Sequence, residues 1–533
     1  MSLLRSIATV GGYTLLSRVT GFLRDILVAG VLGAGTISDA FFVAFRFPNL
    51  FRRLFAEGAF QAAFVPLFAG LLETEGRAEA RRFAQRAFSV LAVILLVFTA
   101  AIEVAMPLVM VVIAPGFDAV PGKMELATEL TRIAFPYLLF ISLVSLQSGV
   151  LNSLGRFAAA AAAPILLNLT LIAALLGLTP WVETPGHALA WGVCAAGVIQ
   201  FAWLAWHCRR AGMAITPIVP RLTPRVRTLG KRILPVVLGG SLYQINLLIG
   251  TILASLLADG AVSWLYYADR ITQLPLGVVG VAVSTALLPL LSRQLKAGNW
   301  DAAAHNQNRA LEVALLMTLP AAAALMVIPG PVIATLFERG AFSPADTAAT
   351  AAALAAFASG LPSYVLVKVL APAFFAREDT VTPVRIAAAA MVANVALNLV
   401  LMQVWGHVGI ALAAALSNWG NAIALAWVLH RRGQLGLDGR FKARLPRIAL
   451  ATALMSVALA LGAWGLGQIP ASGDLARATA LATLVIGGLL VYGLAAQLSG
   501  AASLGEIKGM LRRRPAASSA SSASSGPPEG PRG

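Results

Sequence analysis

Seven basic residues sit where basic residues are costly: Arg18 and Arg24, then Arg46, Arg52 and Arg53, then Arg270 and Lys368, all within long apolar blocks. Placing one arginine at the centre of a bilayer costs about 2.5–3.5 kcal/mol on insertion scales. Seven facing lipid would cost roughly 20 kcal/mol, more than a marginally stable fold can carry. They must face a polar interior or reach an interface. Four acids lie in the same blocks and form a supporting charge network: Asp25, Asp39, Glu57 and Asp269. Arg53 and Glu57 share a helix face at a spacing of four. Arg18 and Asp25, seven apart, lie on nearly the same face, and Asp269 adjoins Arg270. Cations outnumber these acids, so the interior they line attracts anions. A guanidinium suits phosphate because it stays charged and its planar fork donates paired hydrogen bonds. The expected anion contacts are Arg18, Arg24, Arg52, Arg53 and Arg270. Arg52 is close enough to a block end to snorkel. For Arg46, Arg53 and Lys368 the competing reading is that they only lock helices together.

Other chemistry is thinly represented. Cys194 and Cys208 form neither a disulfide framework nor a C-x-x-C site, and the five histidines show no zinc spacing such as H-E-x-x-H. No metal, cofactor or catalytic residue is expected. A membrane glycosyltransferase is disfavoured because the acids sit among arginines and no sugar-nucleotide or metal motif occurs. Asn168, Asn394 and Asn398 could bind a cation or bridge helices, and bridging is the more common use. Glu103 and Glu312 receive no role.

The elements that must position these residues are membrane helices. The chain of 533 residues is 59% hydrophobic and 12% charged. Ordinary soluble domains are about 45–50% apolar and about 25% charged, so too little polar surface remains to face water. The apolar blocks are long enough to cross a hydrocarbon core of about 30 Å. They lack the period-two alternation of a barrel, so the fold class is all-α. Fourteen spans are expected near 7–33, 37–69, 86–113, 129–152, 158–178, 187–207, 231–257, 263–292, 309–336, 346–375, 382–403, 408–430, 446–467 and 477–499. The first is interrupted by Arg18, Arg24 and Asp25, unlike a cleaved signal peptide, and reads as retained. Alternate loops and the termini carry roughly 29 basic residues, whereas the opposite loops hold only Lys123, Arg132, Arg339 and Arg477. The basic side faces the cytoplasm, which puts both termini there. The same bias accounts for the net charge of +17 without a nucleic-acid partner.

A weak internal repeat divides the chain. The stretch around Pro66 echoes that around Pro289, Pro107 echoes Pro331, FPYLLFISL around Pro136 echoes LPSYVLVKV around Pro362, and HCRRAG echoes LHRRG, all at offsets near 222–226. Six spans per unit make the repeat parallel. The expected domains are a lobe over 1–212, a second lobe over 213–433, an added pair of helices over 434–510 and a disordered Ser/Ala/Pro/Gly tail over 511–533.

GFLRDILVAGVLGAGTISDAFFVAFRFPNLFRRLFAEGAFQAAFVPLF at 21–68 resembles the signature region of the MurJ (MviN) family, and YYADRITQLPLGVVGVAVSTALLPLLSR at 266–293 resembles its second signature. The resemblance extends to about residue 510. It implies a lipid II flippase of the multidrug/oligosaccharidyl-lipid/polysaccharide exporter superfamily, with two lobes around a cationic cavity and a groove for the undecaprenyl tail on spans thirteen and fourteen. It puts the family's important cavity arginines on Arg18, Arg24, Arg52 and Arg270, with Asp25 and Asp39 nearby. Some members have a sodium site involving spans seven and eleven. Span seven here lacks an acid in its middle (Tyr243, Gln244, Asn246), so the coupling ion stays open.

The resulting expectation is a flippase, not an enzyme, that moves the diphosphate-linked head outward by alternating access while the tail stays in lipid. The inside-negative potential favours outward movement of an anion by about 2.3 kcal/mol per charge per 100 mV and is the expected driving force. Partners would be lipid II, membrane lipids and cell-wall synthesis or division proteins, with the chain itself a monomer in the bacterial inner membrane. The alternatives are an exporter of another polyprenyl-linked glycan or a drug, or a non-transporting cell-wall scaffold. A cation-drug exporter would call for an acidic cavity.

Overall fold

The computed structural model describes residues 3–53, 60–277, 281–468 and 473–502, and among these the side chains of 3–8, 234, 236–243 and 281–286 are not described. Glu57, its pairing with Arg53, and the 511–533 tail fall outside these ranges. Every regular element among the described residues is helical. In chain order they are α1 (Leu3–Leu32), α2 (Thr36–Phe51), α3 (Phe60–Thr74), α4 (Gly76–Ile113), α5 (Lys123–Ala134), α6 (Tyr137–Ser153), α7 (Phe157–Gly177) and α8 (Pro185–Arg210). Then follow α9 (Pro224–Ser255), α10 (Ala261–Pro275), α11 (Val281–Lys296), α12 (Trp300–Val327), α13 (Pro329–Phe337), α14 (Pro344–Ser359), α15 (Leu361–Phe375), α16 (Val381–Arg431), α17 (Gly439–Gly467) and α18 (Asp474–Leu498).

Prolines and glycines set where the apolar blocks break. Pro136 precedes α6 and Pro362 stands second in α15, so two blocks are each split into two helices. The 51 residues of α16 would run far beyond a bilayer if straight. Gly406, at φ 54° and ψ −130°, folds them into two arms. Asn394 donates to Ser417 Oγ across those arms at 3.1 Å, and Asn398 donates to Asn394 Oδ1 at 2.9 Å. Asn394 bridges the two arms, and Asn398 supports it from the same arm.

Among the described residues, nine helical stretches are long and apolar enough to cross a membrane. Intramembrane charges lie on α1 (Arg18, Arg24, Asp25), α2 (Asp39, Arg46) and α10 (Asp269, Arg270). Charged helices need protein or water around them, and each of these packs on neighbours: α1 on α7, α2 on α5 and α8, and α10 on α14, α2 and α9. By contrast α17 and α18 pair with each other and lean on α12 and α13, leaving Leu454, Leu461, Trp464, Leu489 and Leu494 exposed as lipid-facing surface.

Buried Glu312 ties α17 to α12. It receives Arg440 Nη2 at 3.4 Å together with Arg309 and Arg444, and Arg309 also reaches Asp438, the residue capping α17. Glu312 receives no role from sequence alone, because Arg440 and Arg444 lie more than a hundred residues away.

The α1–α2 turn is a backbone-to-backbone seam. Gly33 adopts φ +65°, and a Cβ there would stand 2.4 Å from the Ala341 carbonyl oxygen. Ala341 N donates to Gly30 O at 2.8 Å in the same seam. A side chain at Gly33 would meet left-handed strain of about 1–2 kcal/mol and a clash with backbone that cannot rotate away. Gly33→Ala is expected to lower the thermal unfolding midpoint of detergent-solubilised protein by several degrees. Gly12→Ala, at a helical position with open space around it, should leave the midpoint unchanged or raise it. Equal midpoints for the Gly33 variant and wild type would contradict the seam.

Candidate functional site

One face of α1 presents Ser17, Arg18, Gly21 and Asp25 to a cavity of about 570 Å³. The small residues let α7 approach closely. Asn168 of α7 donates to Ser17 O at 3.0 Å and to Thr20 Oγ1 at 3.2 Å, and a Cβ on Gly21 would come within 3.2 Å of its Nδ2. Asn168 thus bridges helices, as expected.

Asp25 is the organising anion. It is 2% exposed and holds two arginines. Arg24 donates to its Oδ1 from Nε at 3.0 Å and from Nη2 at 2.6 Å, and Arg270 Nε donates to its Oδ2 at 2.7 Å. The Tyr266 hydroxyl lies 3.3 Å from Oδ1, and the Tyr266 ring stacks on Phe42 with centroids 3.9 Å apart. One carboxylate therefore joins α1 to α10 across 245 residues of sequence.

The two arginines on Asp25 differ in what else they can touch. Arg24 is 5% exposed and also donates to Asn168 Oδ1 at 3.0 Å, so its donors are directed into protein. Arg270 retains 31% of its side-chain surface and lines the cavity. Arg18 and Lys368 line the same cavity, and among the described residues neither has an acid partner. The Arg18 guanidinium rests against the backbone of Gly277, where a Cβ would stand 2.1 Å from Nη1. Arg52 reaches the cavity too, steadied by its Nε donating to Asn49 Oδ1 at 2.9 Å. Among the described residues the wall thus carries Arg18, Arg52, Arg270 and Lys368 around one acid, Asp25, both of whose oxygens are already engaged.

Arg52 and Arg270 also border a smaller space of about 200 Å³ between α2, α9 and α10, with Arg46, Arg53 and Asp269 on its wall. Arg46 donates to the Thr251 hydroxyl, and Gln273 donates to Asp269. The expected residues therefore separate. Arg18, Arg52 and Arg270 meet at the main cavity, Arg46, Arg53 and Asp269 gather beside it, and Arg24 stands behind the wall.

Asp39 belongs elsewhere. It is 1% exposed and accepts from Lys123 Nζ, Gly260 N and Ser263 N, all at 2.8 Å, and from Ser263 Oγ at 2.6 Å. Lys123 also pairs with Asp259, which accepts from Thr36 Oγ1 at 2.8 Å. The sequence places Lys123 in a loop between the expected spans 86–113 and 129–152. It is 3% exposed instead, with its ammonium 4.3 Å over the Phe117 ring. This network sews α2 and α5 to the start of α10 beside the α1–α2 turn. The sequence offered one signal for it: an acid at the start of a helix, where the macrodipole favours negative charge.

Residues 28–465 match the family profile described as Lipid II flippase MurJ. This chain belongs to the MurJ family of lipid II flippases. It is similar to a probable lipid II flippase MurJ of Rhizobium meliloti (strain 1021), 46% identical over 536 residues and covering 99% of each chain. It is also similar to a solved lipid II flippase MurJ in an inward closed conformation, with a TM-score of 0.77 at 24% identity over 94% of this chain and 99% of that one. A more distant likeness is to an inward-facing multidrug resistance MATE family transporter of the MOP superfamily, with a TM-score of 0.64 at 18% identity over 78% of this chain and 94% of that one. The two structural likenesses establish the all-helical polytopic membrane fold. Membership in the MurJ family makes the chain a multi-pass membrane transporter rather than an enzyme.

Proposed function

We propose that this MurJ family member carries lipid II from the cytoplasmic to the outer leaflet of the bacterial inner membrane by alternating access. Arg18, Arg52 and Arg270 receive the diphosphate, Lys368 adds charge at the same wall, and Arg24 fixes Asp25 so that Arg270 is held in place. Arg53 lines the adjoining space and contacts the head as it moves. The observation that carries this reading is the cavity wall itself: among the described residues, four cations around one carboxylate whose oxygens are both occupied. An incoming diphosphate would meet a wall on which, among the described residues, cations outnumber acids.

The architecture goes with this reading. Fourteen spans with both termini in the cytoplasm form two six-helix lobes, 1–212 and 213–433, and the cavity lies between them. The matched positions of Pro136 and Pro362 at broken helices support the repeat. The seam at Gly33 and the network at Asp39 join the lobes at the outer end, so the cavity opens inward. The exposed apolar faces of α17 and α18, within 434–510, offer the prenyl tail a surface outside the cavity. The chain works as a monomer, and the membrane potential pulls the anionic head outward.

Depleting the protein in cells, with a probe for lipid II on the outer face, tests the reading. Exposure of lipid II is expected to fall as the protein is depleted. Exposure continuing at the normal rate, with no second flippase present, would contradict the proposal.

A further inference from the structure

Glu129 of α5, Glu183 of the loop before α8 and His187 of α8 bring one carboxylate oxygen each and one imidazole nitrogen within 4.8 Å of one another. The histidines show no metal spacing along the sequence, and this cluster arises only from packing. Gly186 allows it: a Cβ there would meet Ile37 and Leu130 at 3.0 Å, so the first turn of α8 lies hard against α5.

His187 is the observation that points to a ligand. It is 5% exposed, and its Nδ1 is engaged by the Thr184 hydroxyl at 2.8 Å. Its Nε2 is buried and has no hydrogen-bond partner among the described residues. A buried polar atom left unpaired is costly and calls for an explanation. Nε2 faces Glu129 Oε1 at 3.5 Å. In a tetrahedral zinc site with bonds of about 2.0–2.1 Å, neighbouring ligand atoms stand about 3.3–3.4 Å apart. The spacing is that of two ligands sharing a metal. An oriented imidazole whose second nitrogen bonds to a neighbour is also the usual outer shell of a metal-binding histidine.

We propose that Glu129, Glu183 and His187 bind a borderline transition-metal dication, Zn²⁺ foremost, with water completing the tetrahedron. One imidazole and two carboxylates suit Zn²⁺, whereas Ca²⁺ and Mg²⁺ take oxygen ligands and gain nothing from the histidine. The two carboxylates balance the charge of the ion. Bound metal clips α5, the loop before α8 and α8 together at the end of the bundle opposite the arginine-rich loops, away from the transport cavity.

The test uses tag-free, full-length protein in detergent, stripped with a chelator and titrated with ZnCl₂ or CaCl₂ by calorimetry. Wild type is expected to take up one Zn²⁺ per chain and to ignore Ca²⁺. His187→Gln and Glu183→Gln are each expected to weaken Zn²⁺ binding at least about tenfold. Glu183 is exposed, so its variant keeps the fold, as gel filtration and thermal unfolding will register. Co²⁺ added in place of Zn²⁺ should give the visible absorption of a tetrahedral site in wild type and lose it in both variants. Equal Zn²⁺ affinity in wild type and Glu183→Gln overturns the proposal, as does Ca²⁺ binding as tightly as Zn²⁺.

Discussion

Arg270→Ala is expected to reduce lipid II transport at least about 30-fold and to fail to support growth in a depletion strain, with the protein present at normal levels. Arg270 is both a wall cation and the second partner of Asp25. Truncating one member of a buried, hydrogen-bonded charge pair costs about 2–5 kcal/mol. At about 1.4 kcal/mol per tenfold, that spans roughly 30-fold to several thousand-fold. Arg270→Lys keeps the charge but loses the planar fork, so an intermediate rate is expected. A purely structural role would behave differently. Pairing Arg270→Ala with Asp25→Asn removes the uncompensated acid and should recover thermal stability, yet the doubly neutral cavity should stay inactive. Wild-type growth of Arg270→Ala cells would remove the arginine from the transport path.

The second large effect lies beside the α1–α2 turn. Lys123→Met leaves Asp39 and Asp259 without their shared cation. Removing one partner of a buried ion pair costs about 3–5 kcal/mol. Asp39→Asn should be as damaging even though it is isosteric. Asp39 accepts from Gly260 N, Ser263 N, Ser263 Oγ and Lys123, and an amide replaces one acceptor oxygen with a donor facing donors. The exchange Asp39→Lys with Lys123→Asp should not restore function, because the two backbone N–H groups still need an acceptor. The network closes one end of the bundle, so weakening it should expose that end. Ser38→Cys, in a protein with Cys194 and Cys208 replaced by alanine, reports this through a membrane-impermeant maleimide. Labelling is expected to rise at least about tenfold when Lys123→Met is added. Unchanged labelling and an unchanged unfolding midpoint would show that the network does not hold that end.

The helices were legible because an apolar block of about twenty residues has few alternatives in a bilayer. The arginines were legible because the cost of burying their charge excludes lipid as their surroundings. That cost does not say what replaces lipid. Arg24 and Arg270 look alike in sequence, but Arg24 is spent on Asp25 and Asn168 while Arg270 keeps a face in the cavity. Asp39 sat in the same apolar stretch as the cavity arginines, yet its partners are Lys123, Gly260 and Ser263, set by how α5 and α10 meet α2. Lys123 was taken for a loop cation because local sequence cannot reveal a carboxylate 84 residues away. Glu312 and the cluster at His187 stayed hidden for the same reason. Periodicity and charge cost are local properties, and these sites are made by contacts between distant segments.

In the proposed mechanism the cations on the cavity wall carry the diphosphate head across the membrane. Its most direct test reconstitutes the purified chain in vesicles with lipid II confined to one leaflet and follows its appearance on the other. Transport is expected for wild type and for Arg86→Ala, a variant on α4 outside the cavity lining. Background rates are expected for Arg18→Ala combined with Arg270→Ala at equal reconstituted amounts. Wild-type transport by that double variant would contradict the account.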